Sequence, residues 1–259
     1  MILYFSGTGN CLSIARQIAE KTNEQVMSLY DATQADLTLE QVIGLVYPTY
    51  YFNPPTPVRK LVEGLTISPS AYVFIVIPCG AQTGNAIRDI EHILNSKGIK
   101  VAYCHKVRVP DCSAIGFGRN PNDQAWKFSR YAKRVEKIIA DVKSRKHAHH
   151  YGGWSFAGWL CNLPSMQRKT LPILQPAVNP EKCIGCNTCV RVCPQQNIKL
   201  IDSTKSEGHP IAFIGDDCAQ CLSCVHFCPQ QAVEIAGKTT LKERQYHHPN
   251  IKLKDMLKH

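Results

Sequence analysis

Cys183-Ile184-Gly185-Cys186-Asn187-Thr188-Cys189-Val190-Arg191-Val192-Cys193-Pro194 is followed, later in the chain, by Cys218-Ala219-Gln220-Cys221-Leu222-Ser223-Cys224-Val225-His226-Phe227-Cys228-Pro229. Both stretches read C-x2-C-x2-C-x3-C-P. Three thiolates two residues apart converge, from a tight turn, on three irons of one cubane, while the fourth, set further on and followed by proline, points away. Its partner is then the cluster of the other run. The spacing thus assigns Cys183, Cys186, Cys189 and Cys228 to one [4Fe-4S] cluster, and Cys218, Cys221, Cys224 and Cys193 to a second. Paired zinc knuckles and a disulfide scaffold are the competing readings. Zinc ribbons use C-x2-C pairs across a long spacer, which leaves the third and fourth cysteines and the proline surplus. Because each half needs a cysteine of the other, folding and cluster binding are expected to be coupled.

Outward from these runs, the composition asks for a second domain. The chain has 259 residues, 44% of them hydrophobic, and the cysteine runs occupy only its last third. Something else fills the first 150 or so residues. Thirteen cysteines would suggest disulfides in a secreted protein, but eight belong to the runs. The other five, Cys11, Cys79, Cys104, Cys112 and Cys161, are scattered through apolar or loop contexts. Free thiols and clusters together imply a reducing, low-oxygen cell. No basic segment followed by an apolar one opens the chain, and no apolar run is long enough to span a bilayer, so a cytoplasmic location is expected.

The formal charge of +10 is a property of the apoprotein. Two oxidised clusters with their thiolates and a flavin phosphate would carry about −2 each, which leaves about +4. Nucleic acid is therefore not an expected partner. The excess is also local, with ten Lys and Arg against three Asp and Glu in residues 121–170.

At the N-terminus, Met1 to Phe5 is a strand-like apolar run that leads into Ser6-Gly7-Thr8-Gly9-Asn10-Cys11. Leu12, Ile14, Ala15, Ile18 and Ala19 then recur at helical spacing. Strand, Gly-rich turn and helix form a phosphate cradle from backbone N–H groups and the Ser6 and Thr8 hydroxyls. It is neither a Walker loop, lacking Gly-Lys-Ser/Thr, nor the dinucleotide fingerprint, since Leu12 stands at the third glycine. Further strands are expected at Gln25–Leu29, Val42–Tyr47, Tyr72–Ile77 and Val101–Val109, and helices at Thr56–Leu65, Asn85–Lys97 and Asn122–Lys146. Such alternation predicts a doubly wound parallel sheet, with ligands beyond the C-terminal ends of its strands. Two further loops lie at that edge. One, Tyr47 to Pro55, is rich in aromatics and proline; the other, Pro78 to Asn85, contains two glycines. Stiff aromatic surface suits a planar ring, and backbone N–H groups suit the heteroatom edge of an isoalloxazine.

With these motifs in view, residues 1–146 resemble a short-chain flavodoxin domain, through Phe5-Ser6-Gly7-Thr8-Gly9-Asn10 and Tyr47-Pro48-Thr49-Tyr50. Residues 181–236 resemble a small α+β bacterial two-cluster ferredoxin. Together they resemble the flavodoxin-ferredoxin fusion proteins of anaerobes. That resemblance implies FMN, with its phosphate on Ser6, Gly7, Thr8, Gly9, Asn10 and Cys11. Its ring is implied to lie against Pro48, Thr49, Tyr50, Tyr51 and Phe52 on one side and Cys79, Gly80, Ala81 and Gln82 on the other. The sequence departs from the pattern at Cys11, where the family has a hydroxyl residue, and in having no Trp in the flavin loops.

The remaining segments are less specific. In the last helix of the first domain, Phe128, Ala132, Val135, Ile138, Ile139 and Val142 form an apolar stripe, with Lys127, Arg130, Lys133, Arg134 and Lys137 largely off it. A solvated face accounts for these charges. The sharper reading makes helix 127–146 a docking surface for an acidic redox partner. His147, His149 and His150 read as its polar end. Residues 147–180 connect the domains, and carry Trp154, Phe156, Trp159, Leu160, Leu163 and Met166 before a Pro-rich run. Such a segment packs against something, unlike a Gly/Ser linker. Asn197–Ile201 and Pro210–Ile214 read as a hairpin between the cysteine runs. Residues 237–259 form a basic tail.

Clusters pass single electrons and FMN holds one or two, so the expected function is electron transfer between two [4Fe-4S] clusters and FMN. A ferredoxin-type donor or an acceptor reductase would be the partner. The alternative is a flavin-dependent reductase acting directly on a small molecule. No residue stands out as a general acid, nucleophile or substrate clamp.

Overall fold

The computed structural model describes residues 1–112, 120, 122, 127–151, 163, 175–202, 208–235, 238–239 and 242–257. The connecting segment around Trp154, Trp159 and Met166, and Cys161 with it, lies outside the described residues. The chain divides into two compact units. One comprises Met1–Ser6, Asn10–Pro110 and Ala125–Leu163; the other comprises Gly7–Gly9, Asp111–Gln124 and Pro164–His259.

In the first unit, strands β1 (Ile2–Tyr4), β2 (Val26–Ser28), β3 (Val42–Val46), β4 (Tyr72–Cys79), β5 (Val101–Arg108) and β6 (Ala148–His149) form one sheet in the order β2-β1-β3-β4-β5-β6. Every pairing is parallel. The order 2-1-3-4-5 is that of the flavodoxin-like doubly wound fold. A parallel sheet is covered on both faces, which is why its central strands read as continuous apolar runs rather than alternating ones. All eight residues of β4 are buried. Helices α1 (Asn10–Thr22), α3 (Thr56–Gly64), α4 (Ala86–Ser96) and α5 (Lys127–Lys143) cover the sheet, with a short α2 (Leu29–Ala32) after β2. The expected apolar stripe of α1 is buried.

In α5 the buried face differs from the expected stripe. Tyr131 is buried and Ala132 is exposed, because the Tyr131 hydroxyl is held by Gln17 at 2.6 Å and stands 3.3 Å from that of Ser13. Lys127, expected among the solvated charges, is buried: its ammonium donates to the carbonyls of Gly80 and Val109, both at 3.2 Å. The edge strand β6 falls where the sequence pattern suggests only the polar end of a helix. It places His150 against His105, with ring centroids 4.7 Å apart, and His149 within 3.1 Å of Glu91.

In the second unit, β7 (Pro176–Val178), β10 (Val233–Ile235) and β11 (Lys238–Thr239) form an antiparallel sheet, and β8 (Ile198–Ile201) pairs with β9 (Ile211–Ile214) as the expected hairpin. Two five-residue helices, α6 (Thr188–Val192) and α7 (Ser223–Phe227), follow the first two cysteines of their runs. The duplication extends to the backbone. Positive φ angles occur at Gly185, Asn187 and Gln196, and again 35 residues on at Gln220, Leu222 and Gln231 (220 − 185 = 222 − 187 = 231 − 196 = 35). Non-glycine residues in that region are uncommon, so their recurrence marks two copies of one turn. A short helix α8 (Leu253–Met256) lies in the tail.

Candidate redox-cofactor sites

Each cysteine run winds through its left-handed turns so that three sulfurs face one side, and the fourth is carried past the helix to the other. Cys183, Cys186, Cys189 and Cys228 line one cavity. Cys193, Cys218, Cys221 and Cys224 line a second. Each quartet thus takes three cysteines from one run and one from the other. Among the described residues, no group of three or more His, Cys, Asp or Glu is placed to hold a single metal ion; the sulfurs are spread around the two cavities.

Backbone amides point at several of these sulfurs. Ala212 N–H reaches Cys183 Sγ at 3.5 Å and Gln220 N–H reaches Cys218 Sγ at 3.4 Å. Asn197 N–H reaches Cys193 Sγ at 3.4 Å, and its duplicate, Ala232 N–H, reaches Cys228 Sγ at 3.2 Å. Such bonds stabilise charge on cluster sulfur and so set its potential. Burial pushes the Cys189 and Cys221 thiols up to about 11, with the neighbouring cysteines adding to it. Cys189 and Cys221 are therefore poor acids until iron takes the charge, and such donors suit clusters that displace protons as they bind.

The two flavin-loop candidates of the first unit are fastened to each other. Asn85 N–H donates to the Phe52 carbonyl at 2.7 Å, and the Thr49 hydroxyl donates to the Thr83 carbonyl at 3.1 Å. Tyr50 and Asn53 exchange both backbone hydrogen bonds at 2.9 Å, closing a turn in which Tyr51 and Phe52 have φ of 50° and 64°. Gly84 has φ +56°, and a Cβ there would stand 2.2 Å from the Phe52 carbonyl oxygen. Tyr50 packs edge-on to Phe5 at 6.4 Å. Tyr51, Ala81 and Gln82 are exposed, Pro48, Thr49, Tyr50, Phe52 and Gly80 are half-buried, and Cys79 is buried. The loops therefore present a rigid, partly apolar edge of the kind a flat ring needs.

Ser6 to Cys11 joins β1 to α1 as expected, and all six residues are buried. Within the second unit, the Ser223 hydroxyl donates to the Gly7 carbonyl at 2.7 Å, and His248 N–H donates to the Thr8 carbonyl at 2.9 Å. Ile251 lies against Gly9, whose φ is +88°, and a Cβ there would stand 2.9 Å from the isoleucine side chain. The Thr8 hydroxyl stands 3.5 Å from Cys112 Sγ, and His226 Nε2 donates to the Cys112 carbonyl at 2.8 Å. In a trans peptide the C=O and N–H are antiparallel. Carbonyls held by Ser223 and His248 therefore turn the Thr8 and Gly9 N–H groups toward the opposite side of the turn. Sequence reasoning did not find Thr83, Lys127, Ser223, His226, His248 or Ile251, because no motif marks a residue whose role is to hold another loop's backbone.

Residues 182–244 match the family model of a 4Fe-4S dicluster domain. Several solved structures resemble somewhat more than half of the chain. One is the Fusobacterium nucleatum flavodoxin bound to flavin mononucleotide, 17% identical over 56% of this chain and 96% of its own, with a TM-score of 0.40. The Trp repressor binding protein of Bacillus subtilis is 13% identical over 57% and 99%, with a TM-score of 0.41. An FMN-dependent NADH-azoreductase from Bacillus anthracis is 13% identical over 55% and 99%, with a TM-score of 0.36. No curated protein matches the sequence significantly. A flavodoxin-like sheet is thus joined in one chain to a ferredoxin-type domain of the iron-sulfur class. Among the described residues, no helix is long and apolar enough to cross a membrane.

Proposed function

We propose that the protein is an electron carrier that relays electrons between two [4Fe-4S] clusters and FMN and exchanges them with a protein partner. The observation that carries this reading is the pair of cavities, each lined by four cysteines drawn from both runs. When bound, each cluster supplies one-electron exchange and FMN couples single electrons to two-electron chemistry. The chain's own contribution is positional. Cys183, Cys186, Cys189 and Cys228 hold one cluster and Cys193, Cys218, Cys221 and Cys224 the other, with backbone amides donating to their sulfurs. Ser6 to Cys11 bind the flavin phosphate through backbone N–H groups, and the fastened loops at Thr49–Phe52 and Cys79–Gln82 receive the ring. Arg130, Lys133 and Lys137, exposed on α5, steer an acidic partner.

Anaerobic reconstitution with iron, sulfide and FMN, followed by iron and flavin analysis and reductive titration, tests the proposal. Eight irons and one FMN per chain, all reduced by a ferredoxin-type donor, are expected. Clusters without flavin would remove the relay. Turnover of a small-molecule acceptor with no protein partner would replace it by a reductase acting at the exposed Tyr51, Ala81 and Gln82 edge.

A further inference from the structure

Ser223 sits in the second run between Cys221 and Cys224, with no exposed surface. Its Oγ stands 3.4 Å from Cys221 Sγ and 2.7 Å from the Gly7 carbonyl oxygen. The duplicate position in the first run is Thr188, whose Oγ stands 3.4 Å from Cys186 Sγ. The hydroxyl beside the second cysteine is therefore part of the repeated turn, and Ser223 adds to it a bond to the Gly7–Gly9 segment.

A hydroxyl carries one proton. Cys221 as a cluster thiolate has none to give, so the Ser223 O–H is the donor to both neighbours and they compete for it. We infer that Ser223 is a positioning residue that couples the charge on the second cluster to phosphate binding at Gly7–Gly9. The inference rests on the flavin reading above.

With the cluster oxidised, the hydroxyl donates to the Gly7 carbonyl and, with His248 N–H on the Thr8 carbonyl, holds the turn with the Thr8 and Gly9 amides directed at the phosphate. Reduction adds one electron, supplied by the external donor, to the cluster and its thiolates. Hydrogen bonds to ionised acceptors are stronger than to neutral ones, and the more negative sulfur draws the proton more strongly. The O–H then rotates to Cys221 Sγ, the proton stays on Ser223, no covalent bond changes, and the Gly7 carbonyl loses its donor. Phosphate affinity falls on reduction. Coupling between two equilibria is reciprocal, so phosphate binding lowers the potential of that cluster.

The experiment uses the full chain with both clusters loaded and FMN removed. FMN affinity of the oxidised protein is read by quenching of flavin fluorescence. Cluster midpoints are read by paramagnetic resonance in a redox titration with and without saturating ribitol 5-phosphate, which carries the phosphate but no redox-active ring. Ser223→Ala is expected to weaken FMN about fivefold, as for loss of one neutral hydrogen bond. In the wild type, ribitol 5-phosphate is expected to lower one midpoint by about 40 mV, the one-electron equivalent of fivefold. That shift is expected to vanish in Ser223→Ala, to persist in Thr188→Ala, and to be intermediate in Ser223→Cys, which keeps a weaker donor should the alanine variant fail to load iron. Equal FMN affinity in wild type and Ser223→Ala, or a midpoint shift that survives the substitution, would overturn the coupling alone. A wild type that binds neither FMN nor ribitol 5-phosphate would overturn the flavin reading and the coupling with it.

Discussion

Cys228 closes the second cysteine run yet lines the cavity of Cys183, the first cysteine of the other run. The exchange is mutual, since Cys193 lines the cavity of Cys218, Cys221 and Cys224. Cys228→Ala is therefore expected to abolish the cluster built on Cys183, Cys186 and Cys189 and to spare its neighbour's ligand set. Iron content and low-temperature paramagnetic resonance would show one cluster in place of two. Loss of the cluster held by Cys218, Cys221 and Cys224 instead would mean that each run serves itself.

The fastening of the flavin loops rests on a close approach. At Gly84 a side chain is forbidden both by the φ of +56° and by the Phe52 carbonyl oxygen, which a Cβ would meet at 2.2 Å. Gly84→Ala must push the loops apart or unfold α4's first turn, at a cost of about 1–3 kcal/mol from backbone strain alone. Urea unfolding and FMN titration are expected to show both a lower midpoint and weaker flavin binding. Unchanged FMN affinity would separate these loops from the ring site.

His226 and His248 set an acid limit. Burial pushes both down to about 4 from an ordinary 6.5, with nearby His247 adding to it. His226 accepts from Tyr246 N–H at Nδ1 while donating from Nε2, a pattern only the neutral ring satisfies. Between pH 6.5 and 4 the unfolded chain binds protons that the folded chain refuses, so stability falls as pH falls through that window and is flat above it. Stability is therefore expected to be lower at pH 5 than at pH 7. Urea unfolding at the two pH values, compared with His226→Gln, measures it; identical pH dependence in the variant would show that the ring titrates freely.

The exposed basic face of α5 makes a kinetic prediction. Complementary surface charge acts mainly on association rate and its salt dependence. Arg130→Glu with Lys133→Glu is expected to slow electron transfer to an acidic partner at least tenfold at low salt, converging with the wild type at high salt. Stopped-flow rates across an ionic-strength series provide the check, and parallel curves would assign the face to solvation.

Local pattern carried much of this protein. The x2-x2-x3 spacing already predicts that each run sends its fourth cysteine to the other, because a fixed number of residues through a tight turn leaves sulfur few directions, and the two cavities are lined by cysteines of both runs. The apolar runs of β1, β3 and β4, and the stripe on α1, are legible because burial on both faces of a parallel sheet leaves no room for polar residues. What the tertiary structure alone decided are contacts between segments distant in the chain. Lys127 looks like one more solvated charge on a basic helix until the Gly80 and Val109 carbonyls are seen around its ammonium. Ser223 looks like filler between two cysteines until its hydroxyl is seen on Gly7. The basic tail carries no motif, yet it places His248 and Ile251 on Thr8 and Gly9. Periodicity reports which face of an element is apolar; it does not record which distant carbonyl a buried donor meets, and that is settled only when the whole chain packs.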